Sequence, residues 1–227
     1  MRVTAVIAAG GKGTRMGADK NKVFLMLGER EIIAHTIEVF ENNPRIDNIV
    51  IVAGGSDECR ECESIIAKYG FKKVTHITTG GRTRRESVYN GLLLSDGEYV
   101  AIHDAARALV TDEIINTALD AAVKYGAAAP GVKCKDTLKT ADANGFILSG
   151  VDRETTYHIQ TPQVFRHDII MHAHETVRGF EATDDCSLAE KTGTKIKITP
   201  GSYDNIKLTT PEDLITGENI LKRRYGK

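Results

Sequence analysis

The sequence predicts a doubly wound, mostly parallel, Rossmann-like α/β sheet with a β-hairpin arm projecting from it. Three observations predict it. Short apolar runs rich in β-branched residues alternate with stretches of helical period, and such alternation with short connections means parallel strands and right-handed crossovers. Glycines and cations follow the first run, in Gly10-Gly11-Lys12-Gly13-Thr14-Arg15, and another glycine pair, Gly80-Gly81, follows a later one. The alternation then stops after Pro130, where two strand-like pieces flank a turn rich in Asp, Asn and Gly.

The elements follow in order. Residues 4–8, 48–53, 74–77 and 99–102 are short and apolar, as strands covered on both faces should be. The helix over 31–40 places Ile33, Ile37 and Phe40 on one face. Residues 57–69 and 83–94 supply two more helices, the second opening behind the glycine pair. Residues 112–125 carry Ile115, Ala118, Leu119, Ala122 and Val123 at helical spacing, with Thr111 or Asp112 as cap. Residues 134–140 and 146–151 form the hairpin, within an arm spanning 133–158. An isolated hairpin is marginal in water, so the arm is expected to pack on another subunit. The sheet resumes over 161–165, and a strand over 205–208 leads into a closing helix with Thr210 as cap and Pro211 at its first position. The whole chain, 1–227, reads as one domain with the arm as a subregion.

Composition narrows the function. With 227 residues, 41% hydrophobic and 27% charged, the chain is an ordinary globular protein. A net charge of −1 gives no global pull toward nucleic acid or an anionic membrane. No apolar run approaches a membrane span, and Met1-Arg2 followed by a strand lacks a signal-peptide layout. The expectation is a cytoplasmic protein with no nucleic-acid or membrane partner. Cys59 and Cys62 form a C-x-x-C, but no second pair or spaced histidines complete a zinc site. They read as reduced thiols. His172 and His174, two apart on a helix, point in different directions and make no ligand pair.

The opening loop carries the chemistry. It is neither a Walker A loop, since Lys12 precedes Gly13 instead of Ser or Thr, nor a dinucleotide fingerprint, since Gly11, Gly13 and Gly17 are spaced too widely. Glycines still allow backbone N–H groups to converge on phosphate oxygens, and Lys12, Arg15, Lys20 and Lys22 add charge. The segment Gly80-Gly81-Arg82-Thr83 before a helix is a second anion or nucleobase site. In His103-Asp104-Ala105-Ala106-Arg107, Asp104 stands at the carboxyl edge of the sheet. There it suits Mg²⁺, with phosphate and water oxygens completing the shell.

Taken together, "AAGGKGTRMG", "NKVF", "GGRTRRESVYNGL", "HDAAR", "DT" in the arm, "VDR", "QTPQVF", "TDDCSLAE" and "DNIKLTTPEDL" resemble the 2-C-methyl-D-erythritol 4-phosphate cytidylyltransferases of the non-mevalonate isoprenoid pathway. The resemblance covers nearly the whole chain in order. It implies a nucleotidyltransferase-type sheet, CTP and a sugar-alcohol phosphate as substrates, Mg²⁺ or another divalent cation as cofactor, and a homodimer joined through the arm. It implies that Arg15 and Lys22 stabilise the transition state, and that Arg153 and Lys207 hold the attacking phosphate. Ala8, Ala9, Gly10, Gly11 and Gly13 would cradle the phosphates; Gly81, the Arg82 backbone, Ser87 and Ala105 would complete the nucleotide site. Asp104 would bind the metal, and Arg107, Thr137, Thr161 and Thr183 would contact the acceptor. Lys12 is expected to be a solvated neighbour. The chain departs from the family's usual wording at Asn21, where proline is common before the lysine, at Ala108, where proline is usual, and at Arg82, where an acidic or small residue is common.

Four rivals stand against this reading, one of them a sugar-1-phosphate nucleotidyltransferase that uses another base. A ribitol-5-phosphate cytidylyltransferase would share the fold and the CTP site. A nicotinamide-dependent oxidoreductase would need the dinucleotide glycine spacing and an acid after the 48–53 strand, where Gly54-Gly55 stands instead. A catalytically dead nucleotide-binding protein would have no need of Arg15, Lys22, Asp104, Arg153 and Lys207 together.

Overall fold

The computed structural model describes residues 1–11 and 21–226. Strand β1 (Val3–Ala8) is followed by a 3-10 turn at Lys22–Phe24, a small ribbon of β2 (Met26–Leu27) and β3 (Arg30–Glu31), and helix α1 (Ile32–Asn42). Then come β4 (Asn48–Ala53), α2 (Ser56–Tyr69), β5 (Val74–Thr79), α3 (Arg84–Leu92), β6 (Tyr99–Asp104) and α4 (Asp112–Tyr125). The second half runs β7 (Ala127–Lys133), β8 (Lys139–Ala141), β9 (Ile147–Gly150), β10 (Tyr157–Ile159), β11 (Gln163–Arg166), α5 (His167–Thr176), α6 (Asp185–Glu190), β12 (Lys197–Pro200) and α7 (Pro211–Tyr225).

The main sheet has the order β10-β7-β11-β6-β1-β4-β5, with β12 on the other side of β7. β1 pairs in parallel with both β4 and β6, and β4 with β5. β11 is inserted antiparallel between β6 and β7. Alternate side chains of β1 explain the two cores. Val3, Ala5 and Ile7 join Ile33, Ile37, Phe40 and Leu119 on one face. Val6 joins Val88, Leu92, Phe165 and Ile170 on the other. Both faces are covered, as uniformly apolar strands require. A third cluster, Leu27, Ile32, Leu109, Leu208 and Ile220, seats α7.

The structure corrects the sequence reading in the second half. The expected strand at 205–208 is absent; the segment has no regular secondary structure and makes one long-range backbone bond, Leu208 N–H to Ala106 O at 2.9 Å. Its apolar residues serve the third cluster instead: Leu208 is fully buried there. β7 went unpredicted because Ala-Ala-Ala-Pro-Gly has little strand propensity. On one side its Ala127 and Ala128 pair with β11 and Gly131–Lys133 with β10, so Pro130 falls between two ladders. β12 also went unpredicted. The hairpin strands are shorter than expected, and the projection lies between Lys133, which ends β7, and Tyr157, which begins β10. Asp184 caps α6 through a reciprocal bond with Ser187, and Asp185 opens the helix.

Candidate active site

β1 hands its chain directly to the cradle. The Ala9 N–H donates to Val52 O at 2.8 Å, which extends the β1–β4 pairing by one residue. At Gly10 a Cβ would lie 3.2 Å from Gly54 Cα, so the turns after β1 and β4 pack backbone to backbone and a side chain there would force them apart. Ala8, Ala9, Gly10 and Gly11 then form one wall of a cavity of about 310 Å³, with Lys22, Arg84, Ser87, Asp104 and Lys207 around it. That size lies at the lower end for a small-molecule site. Two larger cavities carry neither the cradle nor Asp104. Lys12, Gly13 and Arg15 lie outside the described residues.

Arg84 and Ser87, at the start of α3, form the second wall, and Gly81 and Arg82 just before the helix do not line the cavity. Thr83 caps the helix by accepting from Glu86 N–H. Ser87 Oγ accepts the Gly81 N–H at 3.1 Å and donates to Thr83 O at 2.8 Å. A Cβ on Gly81 would fall 2.3 Å from Glu86 Cβ, so only glycine fits this close approach. The Arg82 N–H is taken by Glu86 Oε2 at 2.7 Å, and its guanidinium points outward, 93% exposed. Ala105 is fully buried beside the cavity, held by its N–H to Ala8 O at 3.0 Å.

Asp104 is the electrostatic centre. β1 and β6 run in register so that Ala8 stands beside Asp104 at the carboxyl edge. Its carboxylate meets Lys207 Nζ at 2.8 Å, an Arg84 nitrogen at 3.5 Å and Arg107 Nε at 3.9 Å. Burial alone would raise the Asp104 pKa; the Lys207, Arg84 and Arg107 charges outweigh it and hold the carboxyl well below its usual range. Arg84 also meets Asp185 at 2.8 Å. Arg107 donates from Nη1 to Asn205 O at 2.8 Å, which ties down the segment bearing Lys207.

A buried relay holds Asp104 from behind. The Asp104 N–H donates to Thr161 Oγ1 at 3.1 Å, and Thr161 Oγ1 lies 2.9 Å from His103 Nδ1. His103 Nε2 lies 3.2 Å from Arg107 O. Nε2–H must donate to the carbonyl, and with the imidazole neutral the Thr161 hydroxyl donates to Nδ1. Burial, which pushes His103 down to about 4, fits that tautomer. The Thr161 hydroxyl is thus engaged within the protein, and the residue is 4% exposed.

Other expected residues stand elsewhere. Thr137 and Arg153 are exposed on or beside the arm and line none of these cavities, and Thr183 is exposed ahead of α6. Sequence reasoning missed Arg84, Asp185, Asn21 and Thr209. Arg84 sat within a quoted motif, but its partners are distant in sequence. Asn21 stood out only as a departure.

Asp104 is the carboxylate that lines the cavity, and no cluster of three or more His, Cys, Asp or Glu able to hold a metal occurs among the described residues. Mg²⁺ commonly takes one or two carboxylates and completes its shell with phosphate and water oxygens. One ionised carboxylate lining the same cavity as the Ala8–Gly11 backbone fits that habit.

Comparisons with known proteins identify the family. A family model described as 2-C-methyl-D-erythritol 4-phosphate cytidylyltransferase matches residues 3–223. The curated protein of that name from Clostridium novyi is 46% identical over 222 residues, 96% of each chain. The one from Geobacillus kaustophilus is 45% identical over the full length of both. The crystal structure of 4-diphosphocytidyl-2C-methyl-D-erythritol synthase from Anaerococcus prevotii superposes with a TM-score of 0.85 at 30% identity, covering 97% of this chain and 96% of that one. The Thermus thermophilus cytidylyltransferase gives 0.77 at 27% identity, covering 96% and 98%. Matched by that family model over nearly its whole length and by full-length relatives at 45–46% identity, the chain belongs to the 2-C-methyl-D-erythritol 4-phosphate cytidylyltransferase family.

Proposed function

We propose that this chain transfers the cytidylyl group of CTP to 2-C-methyl-D-erythritol 4-phosphate. A phosphate oxygen of the acceptor attacks the α-phosphorus of CTP. A new phosphorus–oxygen bond forms, the bond to the β-phosphate bridging oxygen breaks, and pyrophosphate leaves with the electron pair. The observation that carries this reading is the meeting of the Ala8–Gly11 backbone, Lys22, Asp104 and Lys207 around one cavity.

Such a reaction needs little covalent help, so positioning and charge neutralisation dominate. Backbone from Ala8 to Gly11, continuing to Gly13, holds the triphosphate. Lys22 and Arg15 meet the charge that develops on the transferring group and on the pyrophosphate. Gly81, the Arg82 backbone and Ser87 face the nucleotide base, and Ala105 closes that side. Lys207 holds the acceptor phosphate; an ammonium carries three donors, so its contact with Asp104 does not exhaust it. Asp104 would hold Mg²⁺, which supplies neutralisation of the phosphate oxygens when bound. Arg107 supports this side by fixing the Lys207 segment, and Thr161 by holding Asp104.

The arm completes the site from a second copy. Phe146, Ile147 and Leu148 are each more than two-thirds exposed, an apolar run that a homodimer would cover. Arg153 and Thr137 are exposed and line no cavity described in their own chain, so a substrate role for them, and for Thr183, calls for the partner's cavity or for closure around the acceptor. The four cysteines are free thiols, in keeping with a cytoplasmic enzyme.

The test is pyrophosphate release with each of four nucleoside triphosphates against the methylerythritol and ribitol phosphates, with Mg²⁺. Release confined to CTP with the methylerythritol acceptor is expected. A preference for ribitol 5-phosphate, or release with no acceptor preference, would overturn the acceptor assignment.

A further inference from the structure

Asn21 stands directly before Lys22, is 8% exposed, and uses its amide in three directions. Its Nδ2 donates to Ala9 O at 2.7 Å and to Glu58 Oε2 at 3.0 Å. Its Oδ1 accepts the Val23 N–H at 3.3 Å and so caps the 3-10 turn. The same Glu58 oxygen accepts the Gly54 N–H at 2.7 Å. Gly54 is the residue against which Gly10 packs. One amide and one carboxylate therefore join the root of the cradle, the turn that carries Lys22, and the turn after β4.

Packing alone does not call for this arrangement. Val23 and Phe24 already bury their side chains in the main core and anchor the turn. What apolar packing does not supply is direction, and hydrogen bonds do. The amide fixes where the chain enters Lys22 relative to the Ala9 carbonyl, two residues from Gly11. Both places serve the same triphosphate.

We infer that Asn21, braced by Glu58, is a positioning residue that sets the register between the backbone cradle and Lys22 for the transfer step. This rests on the role given to Lys22 above. The backbone of Asn21 has φ −59°, within the range that a proline ring imposes, so a proline there would direct the chain into Lys22 covalently.

The geometry therefore makes a graded set of expectations, read as steady-state kcat and KM for CTP with thermal melting alongside. Asn21→Ala should lower kcat about tenfold while KM for CTP shifts less than about threefold, since misaligned charge is felt mainly in the transition state. Asn21→Pro should recover most of that loss. Asn21→Asp keeps the cap on Val23 but sets a second carboxylate against Glu58 and an acceptor against the Ala9 carbonyl; its kcat should be no better than that of Asn21→Ala. Glu58→Ala should cost a few-fold in kcat, and it covers the case in which Asn21→Ala does not fold. Wild-type kcat in Asn21→Asp, or a proline variant no better than alanine, would overturn the inference, as would a lowered melting temperature with kcat intact. Lys22→Ala, run in parallel, separates the failures. Loss of rate there with wild-type rate in Asn21→Ala sinks the clamp alone. Wild-type rate in Lys22→Ala sinks the reading of Lys22 on which the clamp rests.

Discussion

Two buried histidines tie the chemistry of single residues to the stability of the chain. His103 is fully buried in the relay behind Asp104, and His174 is buried against Tyr89, its ring stacked at 5.6 Å. Burial pushes each imidazole down to about 4, helped at His174 by the Arg85 and Arg84 charges. An unfolded histidine titrates near 6.5. Below that pH the unfolded chain takes up protons that the folded chain refuses, so stability is complete above about pH 6.5 and drains away toward pH 4. By pH 5 each histidine withdraws about 2 kcal/mol. Asp104 acts in the same direction but lower: its contribution, present above the ordinary carboxylate range, is lost as pH falls below it. Urea unfolding at pH 7, 6 and 5 checks this, and equal stability at all three would refute it. Asp104 stood out in the sequence because it ends an apolar run, and Lys22 because it closes a loop rich in glycines and cations, whereas Lys207 entered only through the family resemblance. Arg84 and Asp185 did not stand out. The pairing of α3 with α6 exists only once both pack on the same face of the sheet.

Among the elements, the α7 cap shows how local sequence serves the site from outside it. Asp213 Oδ2 accepts from Thr209 N–H at 2.7 Å, from the Thr209 hydroxyl at 2.9 Å and from Thr210 N–H at 2.8 Å, while Thr210 Oγ1 caps the helix. Thr209 lines the cavity two residues after Lys207. Asp213→Ala should cost about 1–2 kcal/mol of stability and also raise KM for the acceptor phosphate. Thr111→Ala removes the comparable cap of α4, away from the cavity, and should lower the melting temperature by a similar amount with kinetics unchanged. Equal kinetic effects in both variants, or none in either, would break the link between the α7 cap and the site. The caps at Thr111 and Thr210 were readable because they depend on a few neighbouring residues. The strand expected at 205–208 failed because apolar alternation reports burial, and here burial comes from a helix, not a pairing edge. β7 was hidden for the converse reason: alanine, proline and glycine pair there because the neighbouring strands are already in place.

For the whole molecule, the arm makes the sharpest prediction. If Arg153 serves the cavity of a second copy, Arg153→Ala and Lys207→Ala damage the same site from different chains. Each variant alone should be nearly inactive. Mixed and allowed to exchange, they should form hybrid dimers in which one site carries both defects and the other carries none. Activity should then return to about a quarter of wild type, as random pairing in a two-fold dimer requires. Mixtures that stay inactive although hybrid dimers are detected would place Arg153 in its own chain's site.

By itself the sequence determined the alternating sheet, most of the helices, two helix caps, and the cluster of glycines and cations from which a phosphate site is proposed. These depend on period, local propensity and nearest neighbours, all of which are written along the chain. Tertiary structure decided which charges meet. It placed Lys207 on Asp104, set Arg84 between Asp104 and Asp185, withdrew the Thr161 hydroxyl into a relay with His103, and joined Asn21 to Glu58 across the root of the cradle. Each of those contacts joins residues brought together by sheet order and helix packing, and a short-range electrostatic or hydrogen-bonding contact has no signature until that order exists.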